Sequence, residues 1–312
     1  MSLRISTSQL QQLGLSNIQD KQAQLAKLQK QIATGERLSV ASESPADFTQ
    51  VLGLDETLSR VEGFSKNIDT IQHRLGLGET TLGRISDVVG RTRELALQAA
   101  NGTQNSQSRT AIAAELEQRL NELVALANSE DGTGRYLFGG TQDGRPPFSQ
   151  SGNTISYNGN QIARQISIGP EQRIAENDPG SELFLRIRDE NGDIESLFTS
   201  VQNLINTARS VPGNAAESAA QQTGFQQAIA KLSNAQGHLL DAQAEIGTRL
   251  VAVESVQEQH EAAALQIKTT LSSVRDTDMA SAISDLQAQL SALEVSQQSF
   301  VRIQNLSLFS LL

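Results

Sequence analysis

Residues 225–274 read FQQAIAKLSNAQGHLLDAQAEIGTRLVAVESVQEQHEAAALQIKTTLSSV, and this stretch decides the fold. Every seventh position from Phe225 is Leu232, Leu239, Ile246, Val253, His260, Ile267 and Val274. The companion series, four residues on, is Ile229, Gln236, Gln243, Leu250, Gln257, Ala264 and Leu271. Seven of the eight positions in the first series are apolar, the a/d spacing of a heptad repeat. As one helix the stretch runs about 75 Å at roughly 1.5 Å per residue. The Gln residues of the second series weaken the seam and are able to fix its register.

Working outward, the pattern breaks at Arg275-Asp276-Thr277-Asp278 and a second heptad seam follows, Ile283, Leu286, Leu290, Leu293, Gln297 and Phe300. The chain then ends in Leu306, Leu308, Phe309, Leu311 and Leu312. Each large apolar side chain gains roughly 1.5–3 kcal/mol on full burial, so this tail calls for a partner. The N-terminal half mirrors the arrangement. Ile18, Leu25, Leu28 and Ile32 form a short seam ending at Gly35, and Ser44-Pro45-Ala46-Asp47 marks a helix start. Helical spacing resumes through Ile68, Ile71, Leu75, Leu82, Ile85, Val88, Leu95 and Ala99. Asn101-Gly102-Thr103 interrupts it before Ile112, Leu116, Leu120, Leu123 and Ala127.

Between the helical halves, turn residues crowd together at Asp131-Gly132, Gly139-Gly140, Asp143-Gly144 and Pro146-Pro147. Thr154 to Tyr157, then Asn158-Gly159, then Ile162, Ile166 and Ile168 predict a hairpin; Phe184 to Arg188 with Asn191-Gly192 predicts another. The expected fold is mainly α: a long antiparallel helical, coiled-coil stem from N- and C-terminal segments, with a small β-rich inserted lobe. The boundaries are 1–40 with 275–312 for terminal assembly helices, 41–135 with 215–274 for the stem, and 136–214 for the outer lobe. Terminal seams of this kind bury too little alone to offset about 1–2 kcal/mol of backbone ordering per residue. The two ends are therefore expected to be disordered in the free subunit and to order on assembly.

Composition narrows the function. The chain of 312 residues is 38% hydrophobic and 4% aromatic, with no Trp, no Cys and a formal charge of -10. The missing Cys removes disulfides, Cys-ligated metals and thiol nucleophiles, and the acidic balance argues against a nucleic-acid binder. No stretch approaches the roughly 18 apolar residues that cross a bilayer. The N-terminus lacks the apolar core of a cleavable signal, and the amphipathic ends have Gln- and Ser-rich polar faces rather than the basic ones of membrane-surface helices. The first 40 residues carry five Lys/Arg against two Asp/Glu, and residues 275–312 two Arg against four Asp/Glu. These opposite signs favour pairing of the ends only weakly.

Candidate chemistry is sparse. His73, His238 and His260 lie far apart, without a second His or carboxylate at zinc spacing. His260 reads as a polar residue tolerated on the seam, and the other two as surface residues. Gly132, Gly134, Gly139 and Gly140 lack the residues of a phosphate loop and read as loop geometry. Asp276 and Asp278 read as helix caps rather than a metal pair. No Ser sits in a nucleophile elbow, so no catalytic, metal or cofactor site is expected. Asn101-Gly102-Thr103 and Asn305-Leu306-Ser307 match the glycosylation sequon, as do many chance tripeptides.

The ends carry a resemblance. Leu3 to Gln9, Gln31 to Leu38, Ser44 to Asp47, Arg93 to Thr103, Ile246 to Leu250 and the C-terminal helix resemble the flagellin superfamily. Within it, Gly134-Arg135-Tyr136-Leu137-Phe138-Gly139-Gly140-Thr141 and the run Ser299 to Phe309 are similar to its hook–filament junction branch. Ser2-Leu3 ahead of Arg4 depart from the pattern and read as a cloning scar. The resemblance covers roughly 1–140 and 220–312 and leaves the lobe unmatched.

It implies an extracellular structural subunit of the bacterial flagellum, exported by the flagellar type III apparatus without a cleaved signal. The implied partners are hook-associated protein 1 on the hook side, flagellin on the filament side, further copies in a ring, and a cytosolic chaperone at the C-terminal helix. No nucleic acid or membrane is among them. The expected assembly residues are Ile5, Ile18, Leu25, Leu28, Ile32, Ile283, Leu286, Leu290, Leu293, Phe300, Leu306, Leu308 and Phe309. The alternatives are the filament flagellin itself or a non-flagellar coiled-coil signalling or effector protein; the latter leaves the matching motifs at both ends unexplained.

Overall fold

The structure, a computed structural model, describes residues 7–188 and 192–309. In chain order the long elements are α1 (Thr7–Thr34), α2 (Pro45–Ala100), α3 (Ser106–Ala127), α4 (Leu197–Arg209), α5 (Ala215–Arg275) and α6 (Met279–Phe309). Between α3 and α4 lie β1 (Phe148–Ser151), β2 (Thr154–Tyr157), β3 (Gln165–Ser167), β4 (Arg173–Ala175), a π-turn at Ser181–Leu185, β5 (Ile187–Arg188) and β6 (Ile194–Glu195). The chain forms two compact units, Met1–Arg60 with Ala262–Leu312, and Val61–Glu261. The mainly helical architecture with a small β lobe agrees with the sequence reading.

In the second unit, α2, α3 and α5 share one core. Ile68, Ile71, Leu75, Leu82 and Ile85 from α2 meet Leu116, Leu120 and Leu123 from α3 and Leu232, Leu239, Ile246 and Val253 from α5. The first heptad series of α5 is buried from Phe225 through Val253. Its Gln companions lie over the glycines of α2. A Cβ on Gly83 would stand 3.3 Å from Gln243 Nε2, and one on Gly90 3.7 Å from Gln236 Nε2. Gln72 Nε2 donates to Gln257 Oε1 at 2.8 Å. These pairs run in opposite directions along the two helices and mark their antiparallel register. α3 starts where Asn105 Oδ1 accepts from the Ser108 amide at 2.8 Å, a conventional N-cap.

The lobe departs from expectation in two ways. It contains a helix, α4, whose buried Leu197, Phe198, Val201, Leu204, Ile205 and Ala208 recur at helical spacing. The hairpin turn at Asn158-Gly159 does not form. Thr154–Tyr157 pairs back with Phe148–Ser151 around Gly152 (φ +59°), and Gln165–Ser167 pairs forward with Arg173–Ala175. Gly159 is required for close approach instead, since a Cβ there would lie 2.5 Å from Tyr157 Oη and 2.8 Å from Gly139 O. The expected hairpin after Phe184 is present but shorter, Ile187–Arg188 with Ile194–Glu195; Phe184 and Leu185 belong to the π-turn, and Asn191 lies outside the described residues. Phe184 is fully buried and meets Phe138 at 5.3 Å, Phe148 at 5.7 Å and Phe198 at 6.0 Å. Each such pair adds roughly 0.5–1.5 kcal/mol to area burial, so an aromatic knot holds β1, the π-turn and α4 together.

In the first unit, α1 ends at Gly35, whose φ of +74° suits glycine. The chain then crosses to the end of α5. Arg37 N and Leu38 N donate to Arg275 O at 2.7 and 3.3 Å, Thr277 N donates to Gly35 O at 2.8 Å, and Arg37 Nη2 donates to Val274 O at 2.6 Å. Leu38 is buried with Val51 and Leu271 in a small core of its own. Pro45 opens α2 where its missing N–H costs nothing. Asp278 Oδ1 caps α6, accepting from Ala280 N at 3.0 Å and Ser281 N at 3.2 Å. Asp276 instead accepts from Arg275 Nε at 3.1 Å and bridges to Glu36 through the backbone.

Candidate assembly surface

α1 and α6 pack antiparallel. A Cβ on Gly14 would meet Phe300 Cδ2 at 2.7 Å, so the ring occupies the space a larger residue would take. Two turns on, Lys21 Nζ donates to Gln289 Oε1 at 3.2 Å. On α1, Ile18, Leu25, Leu28 and Ile32 are each half-buried on the side that faces the partner. On α6 the same holds for Leu286, Leu293 and Phe300, with Ala282 fully buried.

The other sequence-selected positions do not share that face. Ile283 is 45% exposed and Leu290 46% exposed, one heptad apart on α6. Leu13, Leu15, Met279, Val295 and Val301 are also exposed large apolar residues of this helix pair. The α6 seam therefore divides: Leu286, Leu293 and Phe300 turn inward, while Ile283 and Leu290 stay open. Ile5 lies outside the described residues, and Leu306, Leu308 and Phe309 are on α6 with side chains outside the described set. No described residue of α1 is fully buried, so pairing alone leaves this helix largely wet.

Charge plays a lesser part at this surface. Lys27 pairs with Glu43 at 3.2 Å, fastening the segment after α1 back onto it, and Arg37 pairs with Asp47 at the start of α2 at 3.7 Å. The Ser39 amide, with Lys27 beside it, holds the Glu43 carboxyl below the usual carboxylate range. Such exposed pairs contribute about 0–1 kcal/mol each.

A second concentration of chemistry lies in the other unit and escapes sequence reading. Arg74 on α2 is buried, and its guanidinium donates to Asp131 Oδ2 at 2.9 Å, Tyr136 O at 2.8 Å and Asp143 Oδ2 at 3.3 Å. Arg135 reaches Asp131 at 3.1 Å; Arg164 reaches Asp143 at 2.9 Å and the fully buried Glu176 at 3.0 Å. Three guanidiniums thus face three carboxylates. Burial alone would raise the Asp131 carboxyl. Hydrogen bonds from the Thr133 hydroxyl and amide and the Arg135 amide, with the Arg135 charge, outweigh it and lower Asp131 to about 2. Burial also lowers the Arg74 guanidinium, opposed by Glu176, Asp143 and Asp131. Gly132, Gly134 and Gly140, all at positive φ, shape the loop around this cluster.

Two of the three histidines are tied to the lobe. His260 donates from Nε2 to Ile168 O at 2.6 Å and stacks on Phe64 at 5.7 Å, so it is more than a tolerated seam residue. His238 Nε2 meets Glu182 O at 2.9 Å, and His73 is exposed. Among the described residues no group of three or more His, Asp or Glu is placed to hold a metal ion, and no helix is long and apolar enough to cross a membrane.

Comparison with known proteins agrees with this geometry. The family described as bacterial flagellin N-terminal helical region matches residues 5–143. Fold and motifs together resemble those of helical structural proteins of the bacterial flagellum built on the flagellin plan. Within that class the chain is similar to flagellar hook-associated protein 3. The Salmonella typhimurium protein of that name is 27% identical over 317 aligned positions, 99% of each chain. The crystal structure of FlgL from Xanthomonas campestris aligns with a TM-score of 0.65 at 25% identity, covering 70% of this chain and 99% of that one. By contrast, flagellin of Salmonella muenchen is 28% identical over 126 positions, only 39% of this chain and 24% of its own. The hook-associated reading thus holds over filament flagellin.

Proposed function

We propose that the chain is the adapter at the hook–filament junction and that it polymerises through α1 and α6. The observation that carries this reading is the divided seam of α6, with Ile283 and Leu290 open beside a helix pair that buries little of itself. Such a pair gains most of its stability from neighbours. The segments 7–34 and 279–309 are then the assembly helices, and they order fully only against adjacent subunits. Residues 41–135 and 215–274 form the stem, and 136–214 the outward lobe.

The likeness to hook-associated protein 3 supports the rest. Copies close into a ring, with hook-associated protein 1 on one side and flagellin on the other. The subunit leaves the cell through the flagellar export apparatus with no cleaved signal. Before export a cytosolic chaperone covers the C-terminal helix, whose apolar residues would otherwise self-associate. The protein acts by packing, not catalysis, and takes no cofactor, nucleic acid or membrane as partner.

Deleting the gene in its own bacterium tests this. Hooks without filaments, with unpolymerised flagellin shed into the medium, are the expected result. Bare hooks with no shed flagellin would make the chain the filament subunit instead. Intact filaments, in a strain carrying no second copy of the gene, would overturn both readings.

A further inference from the structure

The β3–β4 hairpin is fastened to the helices of its unit mainly by polar groups. From α2, Asn67 Nδ2 donates to Ser167 O at 2.8 Å. From α5, His260 donates to Ile168 O, and Arg249 reaches Ala175 O at 3.4 Å and Asp178 at 2.5 Å. At the root of the hairpin, Glu176 N donates to Arg164 O at 3.0 Å. The Glu176 carboxylate sits between Arg164 Nε at 3.0 Å and Arg74 Nε at 4.0 Å, and its side chain is wholly buried. Neither carboxylate oxygen receives a directed hydrogen bond from the described residues, so the two guanidinium charges are what hold it there. Apolar support comes from three side chains: Ile168 is buried in the unit's core, and Ile166 and Ile174 are half-buried against it, without an aromatic ring of the hairpin's own. The rest of the lobe differs, because Phe138, Phe148, Phe184 and Phe198 lock it with a continuous aromatic core.

We propose that the β3–β4 hairpin is a strap across α2 and α5, held shut at its root by the balance of Glu176 against Arg74 and Arg164, and able to open locally while the helices and aromatic knot stay folded. Regions with few buried apolar contacts open at lower free energy than the core around them. A buried ion cluster adds modest net stability when complete and fails abruptly when one member is neutralised. Together these make a segment whose closure depends on charge balance. Opening it uncovers the Phe64–His260 stack and the seat of Ile168 without disturbing the heptad seam from Phe225 to Ile246.

Hydrogen exchange of the full chain, read by peptide mass, tests the strap. With Glu176→Gln at neutral pH, amides of residues 165–175 should exchange at least tenfold faster, while α3, β1–β2 and α4 keep their protection. Asp178→Asn, which removes the Arg249 pin, should give a smaller increase confined to the same peptide. Unchanged strap amides, or a parallel rise across the whole unit, would overturn the proposal. If Glu176→Gln does not fold, exchange of the unaltered protein in low denaturant decides. Strap amides that open with little denaturant dependence, ahead of α3, support the local device; strap amides that exchange only with global unfolding overturn it.

Discussion

Replacing Ile283 and Leu290 together by alanine separates assembly from folding. Their exposures of 45% and 46% mean that about half of each side chain remains to be buried by a neighbour. Full burial of such a residue contributes roughly 1.5–3 kcal/mol, so the two halves amount to about 1.5–3 kcal/mol per subunit. At about 1.4 kcal/mol per tenfold, the doubly substituted chain should bind its neighbours about 10- to 100-fold more weakly. The isolated subunit should hardly notice, because exposed substitutions usually stay within about 0.5 kcal/mol and Ala is the better helix former.

The assay is complementation of the deletion strain from a titratable promoter, with shed flagellin measured against secreted adapter, beside a thermal melt of the purified variant. The expected result is a dose curve displaced to higher adapter with the melt unchanged. Leu286→Ala with Leu293→Ala is the control, since both residues face α1; it should weaken the α1–α6 pair itself as well as assembly. An unshifted dose curve for Ile283→Ala with Leu290→Ala would refute the reasoning that the open side of α6 is where subunits meet.

Three further outcomes follow from the same geometry. Gly14→Ala places a Cβ 2.7 Å from the Phe300 ring, an overpacking penalty of roughly 1–3 kcal/mol that outweighs the ~1 kcal/mol gain in helix propensity; exchange protection of α1 should fall, and Phe300→Leu in the same chain should restore it. Phe184→Ala empties the centre of the aromatic knot and should cost about 3–5 kcal/mol in denaturant unfolding. Asp131 titrates at about 2 in the folded chain, below its ordinary 3.8. The folded state therefore binds fewer protons, and the stabilisation is complete above about pH 4 and lost as pH falls through about 2. That contribution is about 2 kcal/mol, and the stability gap between wild type and Asp131→Asn should shrink by that order between pH 6 and strong acid.

Much of the scaffold was legible because it rests on one-dimensional repeats. The Phe225 series repeats every seven residues regardless of what packs against it, and Gly35, Pro45 and Asp278 end or start helices through their own backbone chemistry. α4 was missed because Leu197-Phe198 and Leu204-Ile205 follow closely on turn-rich sequence, where adjacent apolar pairs also suit a buried strand. The Arg74 cluster had no sequence signal at all. A lone Arg in a helical run reads as solvated, and its partners Asp131, Asp143 and Glu176 lie 57 to 102 positions away. The two-sided character of α6 was equally hidden: a heptad count selects Ile283 and Leu286 alike and does not say which one meets the intramolecular partner.

The contrast between the two helix pairings gives a reason for that two-sidedness. In the stem, Gln236 and Gln243 stand over Gly90 and Gly83, and Gln257 bonds Gln72. A slip of α5 by one heptad would place Gln243 beside Gly90 and pass Leu232 and Leu239 into the sites of Phe225 and Leu232, but it would move Gln257 from its amide partner, push Phe225 out of the buried seam and bring His260 to the buried site of Val253. Polar contacts at intervals thus make one register far better than its neighbours. The α1–α6 pair has a sparser code, the Gly14–Phe300 fit and one Lys21–Gln289 bond, with half-buried aliphatics between them. A pairing specified at two points and left open along one side holds two helices together while leaving room for others. That is what a helix needs if its final partners are supplied by the next subunit rather than by its own chain.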